Sequence, residues 1–239
     1  MSTYVLIHGA YHGGWCWDKV VPLLEREGHK VEAPDLPGHG NDRTPIPEIS
    51  LQAYANRVCA TLDAQSEPAI LVGHSMGGAV ITQAAEYRPD RIRKLVYLAA
   101  ILPQNGETAL QWGTADRDTL LRPYMVIAVD RTYSTVREDG LKEVFYGDCS
   151  DEDVERAKSL LIPDATAPAL APVNTTPDNF GRIPRIYISC NRDRAISPPI
   201  QERMYNNLPC AKVIKMDTSH SPFFSAPEEL AGFLLSLSD

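Results

Sequence analysis

The chain has 239 residues, 44% hydrophobic and 23% charged, a balance that fits a globular protein with a sizeable core and excludes a disordered one. Its net charge of −8 argues against nucleic acid or anionic membrane as a partner and says nothing about the charge of a substrate. Five scattered cysteines without a CxxC pair read as free thiols, the N-terminus lacks a signal-peptide pattern, and no stretch approaches the ~18 apolar residues of a membrane span, so a cytoplasmic protein is expected.

In chain order, short apolar runs alternate with segments of helical period. "TYVLIH" (3–8) reads as a buried strand and "CWDKVVPLLEREG" (16–28) as a helix closed by Gly28. "HKVEAPD" (29–35) is a second strand, and residues 50–65 form a helix capped by Ser50. "AILVGH" (69–74) is a third strand, leading into a helix that ends near Tyr87. A fourth strand covers 92–100. Residues 103–181 then show no strand of the buried parallel type. They hold a helix over 148–163, with Ser150 as N-cap, and an irregular stretch rich in Pro, Ala and Thr. Alternation resumes with a strand over 182–190, a helix near 198–208, a strand over 211–217 and a final helix opening at Pro227.

This rhythm predicts an α/β fold: a mainly parallel sheet of about six strands covered by helices on both faces. Residues 1–102 and 182–239 would form the core. Residues 103–181 would be an inserted, mostly helical lid over the carboxyl ends of the strands, where ligands bind in such sheets.

The third strand ends in Gly73-His74-Ser75-Met76-Gly77, a G-x-S-x-G pattern between a strand and a helix. A strand turning at once into a helix crowds the positions two before and two after the corner, and glycine relieves that crowding. Ser75 would sit in strained backbone with its hydroxyl exposed at the helix N-terminus, where developing negative charge is favoured. A serine hydroxyl needs a base to become a nucleophile. His220, after the sixth strand, is the only histidine beyond Ser75. Among the others, His74 and His8 read as packed or structural, and His12, His29 and His39 as loop residues. Asp193, just after the fifth strand, is the candidate acid, with Asp217 as competitor; Asp164 and Asp178 fall in the insertion. Backbone N–H groups of Met76 and Ala10 are the candidate oxyanion donors.

The segments "VLIHGAYHGGWCWDKVVPLLEREGHKVEAPDLPGHG", "LVGHSMGGAV", "FYGDCSDEDVERAKSLLIP" and "SHSPFFSAPEELAGFL" together resemble the α/β-hydrolases. More narrowly, they are similar to the plant methylesterase and hydroxynitrile lyase branch and its bacterial carboxylesterase relatives. The resemblance implies a Ser75–Asp193–His220 triad, no metal, no cofactor, and a helical lid over an apolar pocket. The reaction expected is that of a serine esterase on a carboxylic or carbamate ester; the aromatic residues near the crevice and the lack of a basic cluster in residues 103–181 point to a small, neutral, bulky or aromatic substrate. Gly9 and Ser221 stand where lyases of the branch carry threonine and lysine, so lyase chemistry is the weaker alternative, together with a non-catalytic ligand receptor. The expected pocket residues are Gly9, Tyr11, Trp15, Trp112, Tyr124, Phe145, Ser221 and Phe223. The oligomeric state is left open, a homodimer included.

Overall fold

The computed structural model describes residues 1–238. In chain order its elements are β1 (Thr3–Ile7), α1 (Val21–Arg26), β2 (Lys30–Glu32), α2 (Leu51–Asp63), β3 (Ala69–His74), α3 (Gly77–Tyr87) and β4 (Ile92–Leu98). An inserted segment follows, with α4 (Ala109–Ala115), α5 (Leu121–Tyr124), β5 (Met125–Ile127), β6 (Tyr133–Val136), α6 (Glu138–Phe145), α7 (Asp151–Leu160), β7 (Asp164–Ala165) and α8 (Ala167–Leu170). The chain closes with β8 (Arg185–Cys190), α9 (Pro198–Asn207), β9 (Lys212–Met216), α10 (Pro222–Ser225) and α11 (Pro227–Leu235).

Six strands pair in parallel in the order β2-β1-β3-β4-β8-β9. Successive side chains of a strand point to opposite faces, and both faces here are apolar. Val5, Ile7, Leu71, Leu95 and Tyr97 join a core built with α2, α3 and α9. Tyr4, Leu6, Val72, Val96 and Ile188 join a second core built with α1, α6, α7 and α11. Each such side chain, fully buried, contributes on the order of 1.5–3 kcal/mol. This two-sided burial is why the strands read as continuous apolar runs rather than alternating ones. After β1 the chain goes to one neighbour of that strand, β2, and then crosses back to the other, β3. The order therefore reverses between β1 and β3, and the crevice at their carboxyl ends lies where the loops after Ile7 and His74 diverge.

Local differences from the sequence expectation have physical causes. The helix expected over 16–28 is a 3₁₀ turn (Gly14–Trp17) followed by the short α1, because Pro22 has no N–H for a bond one turn back and is tolerated only at the start of a helix. The fourth strand stops at Leu98, since Ala99 turns into the left-handed region with φ 43°. The inserted segment holds five helices among the described residues and also a small antiparallel sheet, β5-β6-β7, that the sequence reading did not foresee. Ser150 caps α7 as expected, its hydroxyl accepting from the Asp153 N–H at 3.1 Å. All five cysteines are free thiols, and burial raises the pKa of each. Among the described residues no helix is long and apolar enough to cross a membrane.

The elbow glycines are fixed by contact. A Cβ on Gly73 would lie 2.7 Å from the Gly77 carbonyl oxygen, and one on Gly77 would lie 2.6 Å from the His8 carbonyl oxygen. Alanine ordinarily favours a helix over glycine by ~1 kcal/mol. Here Gly77→Ala is expected to destabilise by about 1–3 kcal/mol, because backbone must move to admit the methyl. Urea unfolding of the two proteins measures the sign.

Candidate active site

Ser75 sits at the corner between β3 and α3 with φ 54°, a strained value for a residue with a side chain. Three backbone bonds hold it there. Its N–H donates to the Leu98 carbonyl at 3.3 Å, and its carbonyl accepts from Gly78 at 3.1 Å and Ile101 at 3.0 Å. The β1 loop lies directly over the corner: a Cβ on Gly9 would come within 2.6 Å of the Ser75 Cβ. The Ala10 and Met76 N–H groups, which flank this corner from two loops, find no acceptor among the described residues.

A buried pair stands beside His74, the residue before Ser75. His220 donates from Nδ1 to Asp193 Oδ2 at 2.7 Å, and both side chains are closed to solvent. Asp193 is otherwise fully engaged. Its Oδ1 accepts from the Ala195 and Ile196 N–H groups at 2.8 and 2.9 Å, and its Oδ2 also accepts from Gln201 Nε2 at 3.0 Å. Asp217 points to solvent beside Arg192. The His220 ring lies 4.5 Å from the ring of His74, the residue before Ser75, and His74 Nε2 donates to the His220 carbonyl at 2.8 Å.

The remaining candidates divide. Phe145, from α6, packs against Tyr11, His12 and His220, so the inserted segment does reach this corner. Trp15 is half-buried and stacks on His12 and Phe224. The Ser221 hydroxyl is buried with no hydrogen-bond partner among the described residues. Phe223 is wholly buried behind the corner against Trp17 and His74 and belongs to the core. Trp112 lies in the core on the α9 side, donating to Glu107 beneath the Arg203 guanidinium. Tyr124 is half-buried, its ring under Arg137 and covering Gly140. Beside Tyr11 a cavity of about 500 Å³ opens into the inserted segment, walled by Val136, Leu141, Leu161 and Ile162 and rimmed by Glu138, Glu155 and Lys158.

Over residues 4–233 the chain matches the alpha/beta hydrolase family. The chain belongs to that family. The pyrethroid hydrolase of Sphingobium wenxiniae is 34% identical to this alpha/beta hydrolase over 248 residues, covering 100% of the chain and 88% of the relative. Methylesterase 1 of Arabidopsis thaliana is 33% identical over 258 residues, covering 99% and 95%. The crystal structure of a pyrethroid hydrolase from Sphingobium faniae superposes with a TM-score of 0.89 at 31% identity, covering 100% of this chain and 97% of that one.

Loop position hid the role of two histidines in this alpha/beta hydrolase. His12 and His39 lie in loops yet are buried, and with His8 they wire the β1 loop in place, while His74 bonds the His220 loop. His8 donates from Nδ1 to the Gly9 carbonyl at 2.8 Å and accepts from Leu36 N–H at 3.1 Å. His12 donates from Nδ1 to the Ala10 carbonyl at 2.8 Å and accepts from the Tyr146 hydroxyl at 2.7 Å. His39 donates to the His12 carbonyl at 2.6 Å and faces Asp164 at 3.1 Å. Gln201, which donates to the same Asp193 oxygen as His220, also carries no sequence signal.

Burial, reinforced by neighbouring histidines, holds His8 and His74 well below the ordinary imidazole pKa. Burial pushes His12 down to about 4. For His39 burial acts downward too, but the Asp164 hydrogen bond and charge outweigh it and raise the value. The unfolded chain takes up these protons near pH ~6.5. As pH falls from ~6.5 toward 4 the unfolded state therefore binds more protons than the fold, and stability drops, by about 3 kcal/mol for His12 alone. The His39 contribution has the opposite sign. It is complete below pH ~6.5 and fades as pH rises through its raised value. Urea midpoints are expected to fall between pH 6.5 and 4.5, with a shallower fall in His12→Gln.

Proposed function

We propose that this carboxylic ester hydrolase works as a serine esterase through an acyl-enzyme on Ser75. The observation that carries the reading is the 2.7 Å bond between His220 and a buried, fully engaged Asp193, set beside a serine in left-handed backbone. Asp193 fixes the imidazole with its proton on Nδ1, which leaves Nε2 as the base. His220 takes the Ser75 proton as the hydroxyl attacks the ester carbonyl. The carbonyl oxygen becomes an oxyanion held by the free Ala10 and Met76 N–H groups. His220 then returns the proton to the departing alcohol. Water attacks the acyl-enzyme with the same base, releasing the acid and restoring Ser75.

Residues 103–181 act as a lid that brings Phe145 to this corner. The substrate is a small, neutral ester with a bulky or aromatic group, carboxylic or carbamate. The aromatic side chains of Phe145, Trp15 and Tyr11 around the corner support that class. Relatives named pyrethroid hydrolase and methylesterase are consistent with it. Cyanohydrin cleavage is disfavoured, because the residue after His220 is Ser221, a buried neutral hydroxyl, where the lyase pattern places a lysine.

A fluorophosphonate probe is expected to label the protein and to fail with Ser75→Ala. On a panel of p-nitrophenyl, aryl methyl and carbamate esters, Ser75→Ala and His220→Ala should each lose at least ~10³-fold in kcat. Full turnover by Ser75→Ala would overturn the assignment, and an unlabelled, inactive wild type would favour a receptor.

A further inference from the structure

Three aspartates of the inserted segment each bond to a different loop at the carboxyl edge of the sheet. Asp116 accepts from the N–H and hydroxyl of Ser197, at 2.8 and 2.7 Å, in the loop after Asp193. Asp164 accepts from the Tyr11 N–H at 3.4 Å and faces His39. Asp148, between α6 and α7, has the most direct reach. It accepts from the Ser219 N–H at 2.9 Å and also from the Ser219 hydroxyl. Its Oδ2 lies 3.4 Å from Arg192 Nη2.

Ser219 and Arg192 are the residues immediately before His220 and Asp193. Asp148 thus links the two loops one residue away from the bond that pairs their side chains. The stretch around His220 lies between β9 and α10, outside regular structure. Other polar ties of its backbone include the Arg192 N–H to the Thr218 carbonyl at 2.9 Å, the Arg192 guanidinium to the Asp217 carbonyl at 3.0 Å, His74 to the His220 carbonyl, and the Phe224 and Ser225 N–H groups to the Ser221 carbonyl. The Asp148 side chain is only 13% exposed, which shields its bonds to Ser219 more than its pairing with Arg192, whose side chain is 54% exposed.

We propose that Asp148 is a positioning residue that holds His220 and Asp193 in register, so that the inserted segment is part of the catalytic geometry. This rests on the serine-esterase reading. Displacement of a reacting group by about 1 Å can cost ~10²-fold in rate. Asp148→Ala is expected to lower kcat by about 10–100-fold while KM changes less than about threefold. Asp148→Asn keeps an oxygen to accept the Ser219 N–H and an amide to donate to its hydroxyl, losing only the charge opposite Arg192. It should recover kcat to within about threefold of wild type, on the same order-of-magnitude reasoning.

Hydrogen exchange of the amides at 219–221 reads the same role without turnover and should quicken in Asp148→Ala but not in Asp148→Asn. Circular dichroism gives the folded fraction, and kcat is taken per folded molecule. Unchanged kcat and exchange in Asp148→Ala, or equal losses in both variants, would overturn the positioning role. If Ser75→Ala remained active, the serine-esterase reading would fall, and the positioning role with it.

Discussion

Three backbones meet at the Ser75 corner with no room for a methyl group between them, and the rest of the site follows from that crowding. β3 ends, α3 begins, and the loop after β1 lies across the junction. The His8 carbonyl oxygen occupies the space that a Gly77 side chain would need, and Gly9 lies against the Ser75 side chain. Ser75 is left in the left-handed region, its main chain tied to the end of β4. Strain of this kind persists only where surrounding structure over-determines it. Here the restraint comes from the two central strand pairs and the two cores that clamp the sheet.

Close approach of backbone leaves polar groups that must be satisfied without water, and four histidines serve that need. Each carries one donating nitrogen aimed at a carbonyl of the β1 loop or of the His220 loop. A neutral imidazole suits the task at His8 and His12, since it donates at one nitrogen and accepts at the other without bringing a charge into the interior. His39 differs because an aspartate of the inserted segment stands beside it, and the pair compensates the cost of burying either charge alone.

Much of the arrangement was legible in the sequence, and the reasons are local. G-x-S-x-G announces its corner because steric contact at Gly73 and Gly77 acts on neighbours within a few residues. The strands announce themselves because both faces of the sheet are buried. The order Ser75, Asp193, His220 follows from placing each after a strand end, and the bonded pair His220–Asp193 appears in the structure. Other features were hidden. The small sheet had a signal, the β-branched run from Met125 to Val136 broken at Asp130-Arg131, but it was short and exposed. Pro22 marked the late start of α1, yet the apolar spacing around it masked the break. Gln201, Asp116 and Asp148 had no signal at all. Asp148 and Asp116 act through side chains reaching to loop partners 71 and 81 positions distant, Ser219 and Ser197, while Gln201 bonds Asp193 only 8 positions away, and no period or motif encodes any of these pairings.

The carboxylates of the inserted segment bear on how such a protein can diversify. A segment inserted between two strands of a sheet is a natural candidate for exchange, since the sheet can stay constant while it changes. In this chain a transplanted segment lacking acidic partners for Ser197, Ser219 and Tyr11 would leave buried donors orphaned in three loops at once. Variation is therefore most costly at the three anchoring acids, and a diverging segment must keep them or replace all three bonds.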